Sequence, residues 1–265
     1  DWLESSVFQV QDALSILNRS PFIRAYFEVS ELREKPFAKT QNTYRNLLNG
    51  NAFYPLKEEV IYQIQSVSYE EKKELLKFAM QTNDIKTRQA IAKTLGNIPE
   101  DFKMHYRTLF EDKSYITREI ALNKYWSDFP EERISVLNLS RNWIGLNDKN
   151  LRVLWLTLAL ATKDFENDKK ASYYDELLDY ATPKYESNLR QNAITKLLFL
   201  DKNDQNTLKY LVNALVSHRW QFVKFARENI RNLLKSDIHR TFFEEMLEQL
   251  PEDEKNQLNR LIMEK

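Results

Sequence analysis

Histidine and cysteine are the residues that most often hold catalytic metals in proteins, and this chain has few of either. It contains no cysteine and three histidines, His105, His218 and His239. The missing cysteines exclude disulfides, thiolate nucleophiles and cysteine zinc sites. No two histidines are four residues apart, so the zinc motif HExxH cannot form. The sequence therefore predicts no metal-binding, cofactor-binding or catalytic residue in this chain.

Adjacent acidic residues occur at Glu70-Glu71, Glu131-Glu132 and Glu244-Glu245. Two carboxyl groups can hydrolyse a glycosidic bond when they lie about 5–10 Å apart on either side of it. Nothing in these three pairs fixes such a separation. Each pair lies near a predicted helix start or on a polar face, so we interpret all of them as solvated acids.

The chain has three glycines, Gly50, Gly96 and Gly145. Their wide spacing excludes glycine-rich phosphate loops and dinucleotide-binding fingerprints, which need several glycines within a few residues. Each glycine follows an apolar helical stretch, where glycine often closes a helix by adopting a left-handed conformation. We therefore expect the three glycines to end helices.

A cluster of basic and aromatic residues begins at His218-Arg219-Trp220 and continues with Phe222 and Phe225. Aromatic rings with cations at their edges can stack on peptide side chains or on nucleic-acid bases. The same residue types also form aromatic-rich turns that pack between helical repeats. Packing between repeats is the interpretation that we favour.

Asp148, Arg152 and Trp155 invite a comparison with HEAT-like DNA glycosylases, which use tryptophan, aspartate and arginine in a groove. The spacing places Arg152 and Trp155 at adjacent helical positions, so Trp155 is predicted to lie in the core. The chain has 39 basic and 39 acidic residues. Nucleic-acid binders usually carry a basic excess that neutralises phosphates. We therefore expect no nucleic-acid partner.

The elements that position these residues are predicted to be helices throughout. Hydrophobic residues make up 42 % of the chain and charged residues 29 %, which is enough apolar content for a core. No segment shows the sustained alternation typical of a strand. Apolar spacing of three and four residues marks helical faces, one of them formed by Ile116, Ile120 and Ala121. The predicted helix pairs are 68–81 with 84–95, 99–111 with 114–128, 131–143 with 148–163, 170–180 with 186–200, 204–217 with 220–235, and 237–250 with 252–264.

An arginine near the start of the second helix marks most of these pairs. The series is Arg88, Arg118, Arg152, Arg190 and Arg227, with intervals of 30, 34, 38 and 37 residues. Two helices per unit at such a period are typical of an α-solenoid, because a helix pair must stack on its neighbours to bury its apolar face. We expect the arginines to bond turn carboxylates or carbonyls, with Asp112 as the partner of Arg118. The units look like HEAT repeats.

The fold predicted for the chain is an all-α solenoid of HEAT-like antiparallel helix pairs, an α-α superhelix. Residues 66–265 form the repeats, and residues 1–65 form an N-terminal helical extension packed on them, in one continuous domain. The chain shows neither a signal peptide nor a run of about 18 apolar residues that could span a membrane. It begins Asp1-Trp2 without methionine, so we interpret it as part of a longer protein.

Several stretches of the sequence resemble the C-terminal helical region of aminopeptidase-N-like zinc metallopeptidases, particularly those of Bacteroidota. They cover most of the chain in one order. The stretches are SPFIRAYFEVSELREKPFA (20–38), NAFYPLKEEVIYQI (51–64), IGLNDKNLRVLWL (144–156), ATPKYESNLRQNA (181–193) and RWQFVKFA (219–226). The family's HExxH helix, distal glutamate ligand and GAMEN-type motif do not occur in this sequence, so no catalytic residue of the family is carried onto any position here.

The resemblance implies that this chain is non-catalytic and that its parent is a zinc-dependent aminopeptidase. Zinc is then expected in the catalytic domain of the parent, and that domain is the expected partner. The chain would shape access to the catalytic cleft and meet peptide substrates only indirectly. The compartment stays open, and a periplasmic parent is compatible with the resemblance. Two alternatives also stay open: a HEAT-like DNA-alkylation-repair or nucleic-acid-binding protein, and a general protein-interaction scaffold.

Overall fold

Helices provide all the regular structure in residues 21–50, 52, 54–143 and 149–263, which this computed structural model describes. These residues form fifteen α-helices and six short 3-10 segments and include no strand. The predicted all-α, solenoid-like fold is confirmed. The chain divides into two compact units, residues 1–128 and 129–265. None of the described helices is both long and apolar enough to cross a membrane.

The described part of the first unit contains seven helices in two layers. They are α1 (Pro21–Glu31), α2 (Phe37–Asn49), α3 (Tyr54–Gln63), α4 (Tyr69–Met80), α5 (Ile85–Thr94), α6 (Lys103–Arg107) and α7 (Tyr115–Asp128). In one layer α3 packs on α1 and α5, and α5 packs on α7. In the other layer α2 contacts α4. Every second helix therefore stacks on the next, as helix pairs in a solenoid do.

The described part of the second unit contains eight helices with the same arrangement. They are α8 (Arg133–Ser140), α9 (Asn150–Ala161), α10 (Lys170–Tyr180), α11 (Ser187–Leu200), α12 (Gln205–Leu215), α13 (Trp220–Leu233), α14 (Asp237–Glu248) and α15 (Glu252–Met263). The second helices of the pairs, α9, α11, α13 and α15, pack on one another in that order. The first helices of the last two pairs, α12 and α14, also contact each other.

The predicted helix pairs agree closely with the structure, with two differences. The segment predicted as one helix over 99–111 is a 3-10 segment at Glu100–Phe102, the short helix α6 and a second 3-10 segment at Thr108–Glu111. The segment predicted at 131–143 begins as a 3-10 segment at Pro130–Glu132 before α8. The predicted boundary at residue 65 lies inside the first unit, and the division into residues 1–65 and 66–265 stays a prediction.

The core face of α7 differs from the predicted one by one position. Ile116 was expected in the core, but it is 49 % exposed. Thr117, Ala121, Leu122 and Tyr125 are the buried residues of this helix. Successive residues of a helix are about 100° apart, since 3.6 residues make a turn. A buried face that includes Thr117 therefore leaves the side chain of Ile116, the preceding residue, pointing away from the core.

Arginines of the repeated series close the turns inside several of the helix pairs. Arg190 Nε donates to the carbonyl of Ala181 at 3.2 Å, and Arg152 Nη1 donates to the carbonyl of Arg141 at 3.3 Å. Arg88 Nη1 bonds the carbonyl of Thr82 in the same way. These carbonyls lie one or two residues beyond the first helix of the pair, where no further helical turn supplies an N–H for them. The arginine of the second helix satisfies them.

The same arginines also reach the next helix pair. Arg88 Nε lies 2.6 Å from Asp112 Oδ2, and Arg190 Nη2 donates to Asn213 Oδ1 at 2.9 Å. Arg152 bonds both carboxylate oxygens of Glu176, at 2.8 and 2.7 Å. A planar guanidinium suits such a task because its donors are held in a fixed fork. Each of these arginines thus connects its own turn to the following repeat.

Asp112 accepts hydrogen bonds from two arginines. The predicted contact with Arg118 is confirmed, but Arg118 Nε donates to the Asp112 carbonyl, at 2.5 Å. The Asp112 carboxylate instead accepts from Arg88 and from the backbone N–H of Ser114, the latter at 2.8 Å. The side chain of Asp112 is 1 % exposed. One buried aspartate therefore connects two successive members of the arginine series.

Lysines close turns between helix pairs in a similar manner. Lys72 Nζ donates to the carbonyls of Ile64 and Gln65 at 3.0 and 2.8 Å, and Lys170 Nζ donates to those of Ala159 and Leu160, both at 2.9 Å. Burial lowers the pKa of both lysines from the ordinary value. In each case the ammonium belongs to the helix that follows the turn, and it contacts the negative end of the preceding helix.

Gly50 and Gly96 follow the ends of helices, as predicted, but neither adopts the left-handed conformation that was expected to close them. Gly50 follows α2 with φ of −79°, and no described glycine has a positive φ. Gly145 lies outside the described residues. Because basic side chains from the next helix satisfy terminal carbonyls, the turns that they close need no left-handed glycine.

Glu166 organises the turn between α9 and α10. Its φ of 39° lies in the left-handed region, which is uncommon for residues other than glycine. Arg141 Nη2 and Lys169 Nζ donate to Glu166 Oε1 at 2.7 and 2.9 Å, and the Tyr173 hydroxyl donates to Oε2. The hydrogen bond from Tyr173, followed by that from Lys169, lowers the pKa of Glu166 to about 2. Three donors thus hold the carboxylate in place.

We expect Arg190→Ala to lower the free energy of unfolding by about 1–3 kcal/mol, because it removes bonds to both Ala181 and Asn213 from a buried guanidinium. Arg190→Lys should restore part of the loss, since an ammonium can reach one partner. Arg219→Ala, at an exposed position, is the control. Urea unfolding followed by circular dichroism measures the difference, and equal stability of the three variants would contradict the arginine's role.

The Glu166 carboxylate should make stability depend on pH in acid. Its pKa is about 2 in the folded protein and 4.5 when unperturbed, so its contribution is complete above pH 4.5 and is lost as the pH falls towards 2. Glu166→Gln should therefore flatten the dependence of unfolding free energy on pH in this range. Glu100→Gln, whose side chain is 79 % exposed, is the control. Identical slopes for the two variants would disprove the assignment.

Candidate functional site

One side of helix α13 is buried in the core, and the other side is not. Phe222, Ala226 and Ile230 form the buried side. Arg190 lies 4.9 Å above the Phe222 ring, so this side also contacts α11. The predicted core face of α13 is confirmed at these three positions, whereas Leu233 is only half-buried. The other side of the helix faces a groove.

This groove, which we call the α13 groove, has a volume of ≈600 Å³. Its lining comes from the end of α12, from the turn before α13, from one side of α13 and from the last turn of α15. The lining residues are Leu215, Ser217, His218, Trp220, Val223, Lys224, Arg227, Glu228, Arg231 and Leu261. Spacings of three and four residues from Trp220 to Arg231 place the α13 members on one side of the helix.

Trp220 is the most exposed aromatic ring of the described residues, with 69 % of its surface accessible. It is the first residue of α13, at one end of the groove. Val216 in the preceding turn is also exposed, at 63 %. Tryptophan in this position offers a large flat apolar surface together with one N–H donor.

Charged side chains follow Trp220 along the groove. Lys224 Nζ lies 3.9 Å from Glu228 Oε1, and both side chains are more than half exposed. Arg231 Nε donates to the carbonyl of Ile262 at 2.7 Å, so this arginine contacts the end of α15. Arg227, the last member of the predicted arginine series, lines the groove between them. The lining thus has three permanent cations and one acid.

The aromatic cluster at 218–225 is only partly the packed turn that we expected. Phe222 is buried and stacks on Phe225 with ring centroids 6.2 Å apart. His218 and Trp220 are exposed and line the groove instead. The interpretation as packing is correct for the two phenylalanines and wrong for Trp220. Helix geometry explains the division, because Trp220 and Phe222 are two residues apart and point to different sides.

Arg152 and Trp155, the two described residues of the comparison with DNA glycosylases, are engaged in the fold. Trp155 is 1 % exposed and its Nε1 donates to the Leu137 carbonyl at 3.0 Å, which confirms its predicted core position. Arg152 bonds Glu176 and also lies over the Trp155 ring, at 4.5 Å. Asp148 lies outside the described residues. Arg152 and Trp155 therefore serve the packing of α9.

The acidic pairs and the other histidines are not brought together. Glu70-Glu71, Glu131-Glu132 and Glu244-Glu245 lie in three separate elements. His105 stacks on Phe102 with centroids 5.6 Å apart, and His239 is buried without a hydrogen-bond partner in the protein. No group of three or more histidines and acids that could hold a metal occurs within the residues that the structure describes.

A second groove, of ≈510 Å³, lies beside the turn before α11, but its cations are engaged. Lys149 Nζ lies 4.6 Å from the centre of the Tyr185 ring, and Lys184 Nζ lies 2.6 Å from Asp179 Oδ1. The Lys184 hydrogen bond, followed by that of Tyr185, lowers the pKa of Asp179. These contacts stabilise the turn. The α13 groove is the stronger candidate site because its lining includes the exposed Trp220.

The sequence pointed to residues at one end of the α13 groove but not to those along the rest of it. It selected His218, Arg219 and Trp220, but it did not select Lys224 or Arg231. The signal that could have found them is the helical spacing counted from Trp220, which reaches both residues on the same side. Leu261 could not be found in this way, because only the packing of α15 beside α13 brings it to the groove.

Comparison of the chain with protein-family models, with curated proteins and with solved structures finds no match.

The two sides of α13 should respond differently to truncation. We expect Phe222→Ala to lower the free energy of unfolding by about 3–5 kcal/mol, because it opens a cavity in the core. Trp220→Ala should change it by no more than about 0.5 kcal/mol, as for other exposed positions. Urea unfolding of both variants measures the contrast. A large loss in Trp220→Ala would mean that the indole is part of the packing.

Proposed function

We propose that this chain is a non-catalytic helical repeat domain of a zinc aminopeptidase, which packs against the catalytic domain of its parent. The sequence resemblance over most of the chain supports the assignment to this family. The all-helical architecture and the confirmed helix pairs are compatible with it. The zinc ion and the reacting residues would belong to the catalytic domain of the parent.

The observation that carries the proposal is the engagement of the repeat arginines within the fold. Arg88, Arg152 and Arg190 each bond a turn carbonyl and a residue of the next helix pair. A phosphate track would need such arginines to point outward in a basic surrounding. Contact with another polypeptide needs no such track. Polypeptide interaction is therefore better supported than binding of nucleic acid.

In this role the chain would act on catalysis indirectly. A helical domain packed over a catalytic cleft restricts which peptides reach it and helps to exclude water. Long or folded substrates would be affected more than dipeptides, because only they extend past the cleft. This difference between substrates is the functional signature of the proposed role.

A HEAT-like DNA-repair or nucleic-acid-binding protein is the second candidate. The α13 groove favours it in one respect, since an exposed tryptophan beside cations can stack on a base. The buried position of Trp155 and the pairing of Arg152 with Glu176 weigh against it. A general interaction scaffold agrees equally well with the fold, but it does not account for the sequence resemblance to aminopeptidase-N-like peptidases.

The reading frame that encodes this chain gives the most direct test. We expect an in-frame HExxH followed by a second glutamate upstream of the present residues. The purified chain should hold no stoichiometric zinc and should not cleave a leucyl-anilide reporter. A frame without HExxH, or chelator-sensitive cleavage by the chain itself, would overturn the proposal.

DNA retention at low salt separates the two candidates. We expect the wild-type chain to show none, while Arg118→Ala and Arg190→Ala lower the melting temperature. Strong DNA binding that is lost in these variants at unchanged stability would instead favour the repair-protein reading.

A further inference from the structure

A groove in the first unit has a largely polar lining. We call it the α2–α4 groove, because the ends of α2 and α4 border it together with Lys57 of α3, and its volume is ≈390 Å³. Its polar side chains include Asn49, Gln81 and Asn83. The volume lies within the range of pockets that hold small ligands.

Lys57 is half-buried, and its ammonium bonds no acid or carbonyl within the residues that the structure describes. Other lysines that are removed from water have such an acceptor. Lys124 Nζ lies 3.1 Å from Asp128 Oδ2, and Lys72 Nζ donates to carbonyls at a helix end. Lys57 lies beside two helix ends and has no acceptor of this kind. Its ammonium is therefore available to an anionic group of a ligand.

No acid occurs among the described residues that line the groove. Asp84, which follows Asn83 in the chain, is engaged in starting α5. Its carboxylate accepts from the backbone N–H groups of Lys86 and Thr87, at 3.4 and 2.8 Å. A carboxylate that enters the groove would therefore meet Lys57 without competition from an acid of the lining.

Three carboxamide side chains share the groove with this ammonium. Asn49 is the last residue of α2, Gln81 directly follows α4, and Asn83 lies in the next turn. None of the three side chains has a hydrogen bond in the described part of the chain. A carboxamide carries one acceptor and two donors, so it can pair with both the C=O and the N–H of a peptide. The lining therefore suits the main chain of an extended polypeptide.

A nucleotide fits this groove less well than a peptide does. Helices α2 and α4 both end at the groove, so the negative ends of two helix dipoles favour N–H donors there and disfavour phosphate. The ring of Phe78 forms part of the lining, but the guanidinium of Arg45 lies over it, 4.9 Å from the ring centre. One face of this ring is thus covered and cannot stack on a base.

We propose that the α2–α4 groove binds an extended segment of a partner polypeptide, with one acidic side chain beside Lys57 and the main chain against Asn49, Gln81 and Asn83. This inference rests on the part of the proposed function that assigns the chain to polypeptide interaction. It names the chemistry of the segment that is bound.

The probe for the test is the N-acetylated pentapeptide amide Ala-Ser-Glu-Ser-Ala, whose glutamate is its only charged group. It is titrated into the purified chain at low salt, and the side-chain NH2 signals of asparagine and glutamine are followed by proton–nitrogen NMR. We expect the signals of Asn49, Gln81 and Asn83 to shift saturably. The shifts should weaken as salt is added, because salt screens the ionic contact.

Two substitutions in the groove test the two kinds of contact. Lys57→Met keeps an unbranched apolar side chain and removes the charge, so it should weaken binding by about tenfold. Gln81→Met removes one carboxamide and should weaken binding by about threefold, since a hydrogen bond between neutral groups contributes less.

Matched variants in the second unit control for each substitution. Lys196 on α11 is also half-buried and has no acceptor within the described residues, so Lys196→Met makes the same change elsewhere. Gln249 follows α14 with φ and ψ of −81° and −7°, close to the −84° and −6° of Gln81, and both are exposed. Lys196→Met and Gln249→Met should bind the probe as the wild-type chain does. Circular dichroism of all four variants shows whether each one folds.

A second peptide tests the pairing of the ammonium with the carboxylate. The same pentapeptide with glutamine in place of glutamate should bind the wild-type chain about tenfold more weakly. Lys57→Met should not weaken its binding further, because the two changes remove the same contact. An equal effect of Lys57→Met on both peptides would overturn the proposal.

Adenosine monophosphate is the competing probe. Stronger binding of this nucleotide than of the glutamate peptide, with the same signals shifted and the same loss in Lys57→Met, would overturn the proposal in favour of a nucleotide site. Absence of shifts with the glutamate peptide, or an equal loss in Lys196→Met, would also overturn it.

The outcome is separable from that of the proposed function. Peptide binding in the groove of a chain whose reading frame lacks HExxH would retain the groove and remove the peptidase assignment. A peptidase reading frame together with a chain that does not bind the glutamate peptide would do the reverse.

Discussion

The carbonyl groups at the ends of the helices impose the constraint on which the rest of this structure depends. A helix leaves its last four carbonyls without intrahelical donors, at the negative end of its dipole. The chain has three glycines, and none of those described adopts the left-handed conformation that usually satisfies these carbonyls. Basic side chains from the next helix instead bond carbonyls at or just beyond the helix ends, with Arg88 and Arg190 inside pairs and Lys72 and Lys170 between pairs. A basic side chain of the following helix therefore closes each of these turns.

This use of arginine also connects the repeats. The guanidinium that closes one turn extends to the following pair, as Arg88 does to Asp112 and Arg152 to Glu176. A single substitution in the series should then weaken two contacts rather than one. The same bonds direct these arginines into the fold, which explains how a chain can carry a periodic arginine series without presenting a track for phosphates. Helix α13 differs, because Arg227 lines a groove and Arg231 bonds the end of α15.

Much of the fold could be predicted from the sequence, and less of the candidate site. Helix pairs were predictable because apolar spacing and helix-ending residues are local properties. The contact between Arg118 and Asp112 was predictable as a pair, but not that the carbonyl of Asp112 accepts the bond while its carboxylate serves Arg88. At the α13 groove, composition drew attention to Trp220. Its exposure, and the contribution of Leu261 from α15, required the packing of helices far apart in sequence.

The sequence by itself determined an all-helical chain, the period of its helix pairs and the arginine that opens the second helix of most pairs. These features follow from spacing along the chain, and spacing fixes which side chains share a helix face. The tertiary structure decided which face is covered. It buried Thr117 where Ile116 was expected, and it exposed Trp220 two residues before the buried Phe222. Burial depends on the neighbouring helices and their orientation, since a side chain loses water only when another element packs on its side.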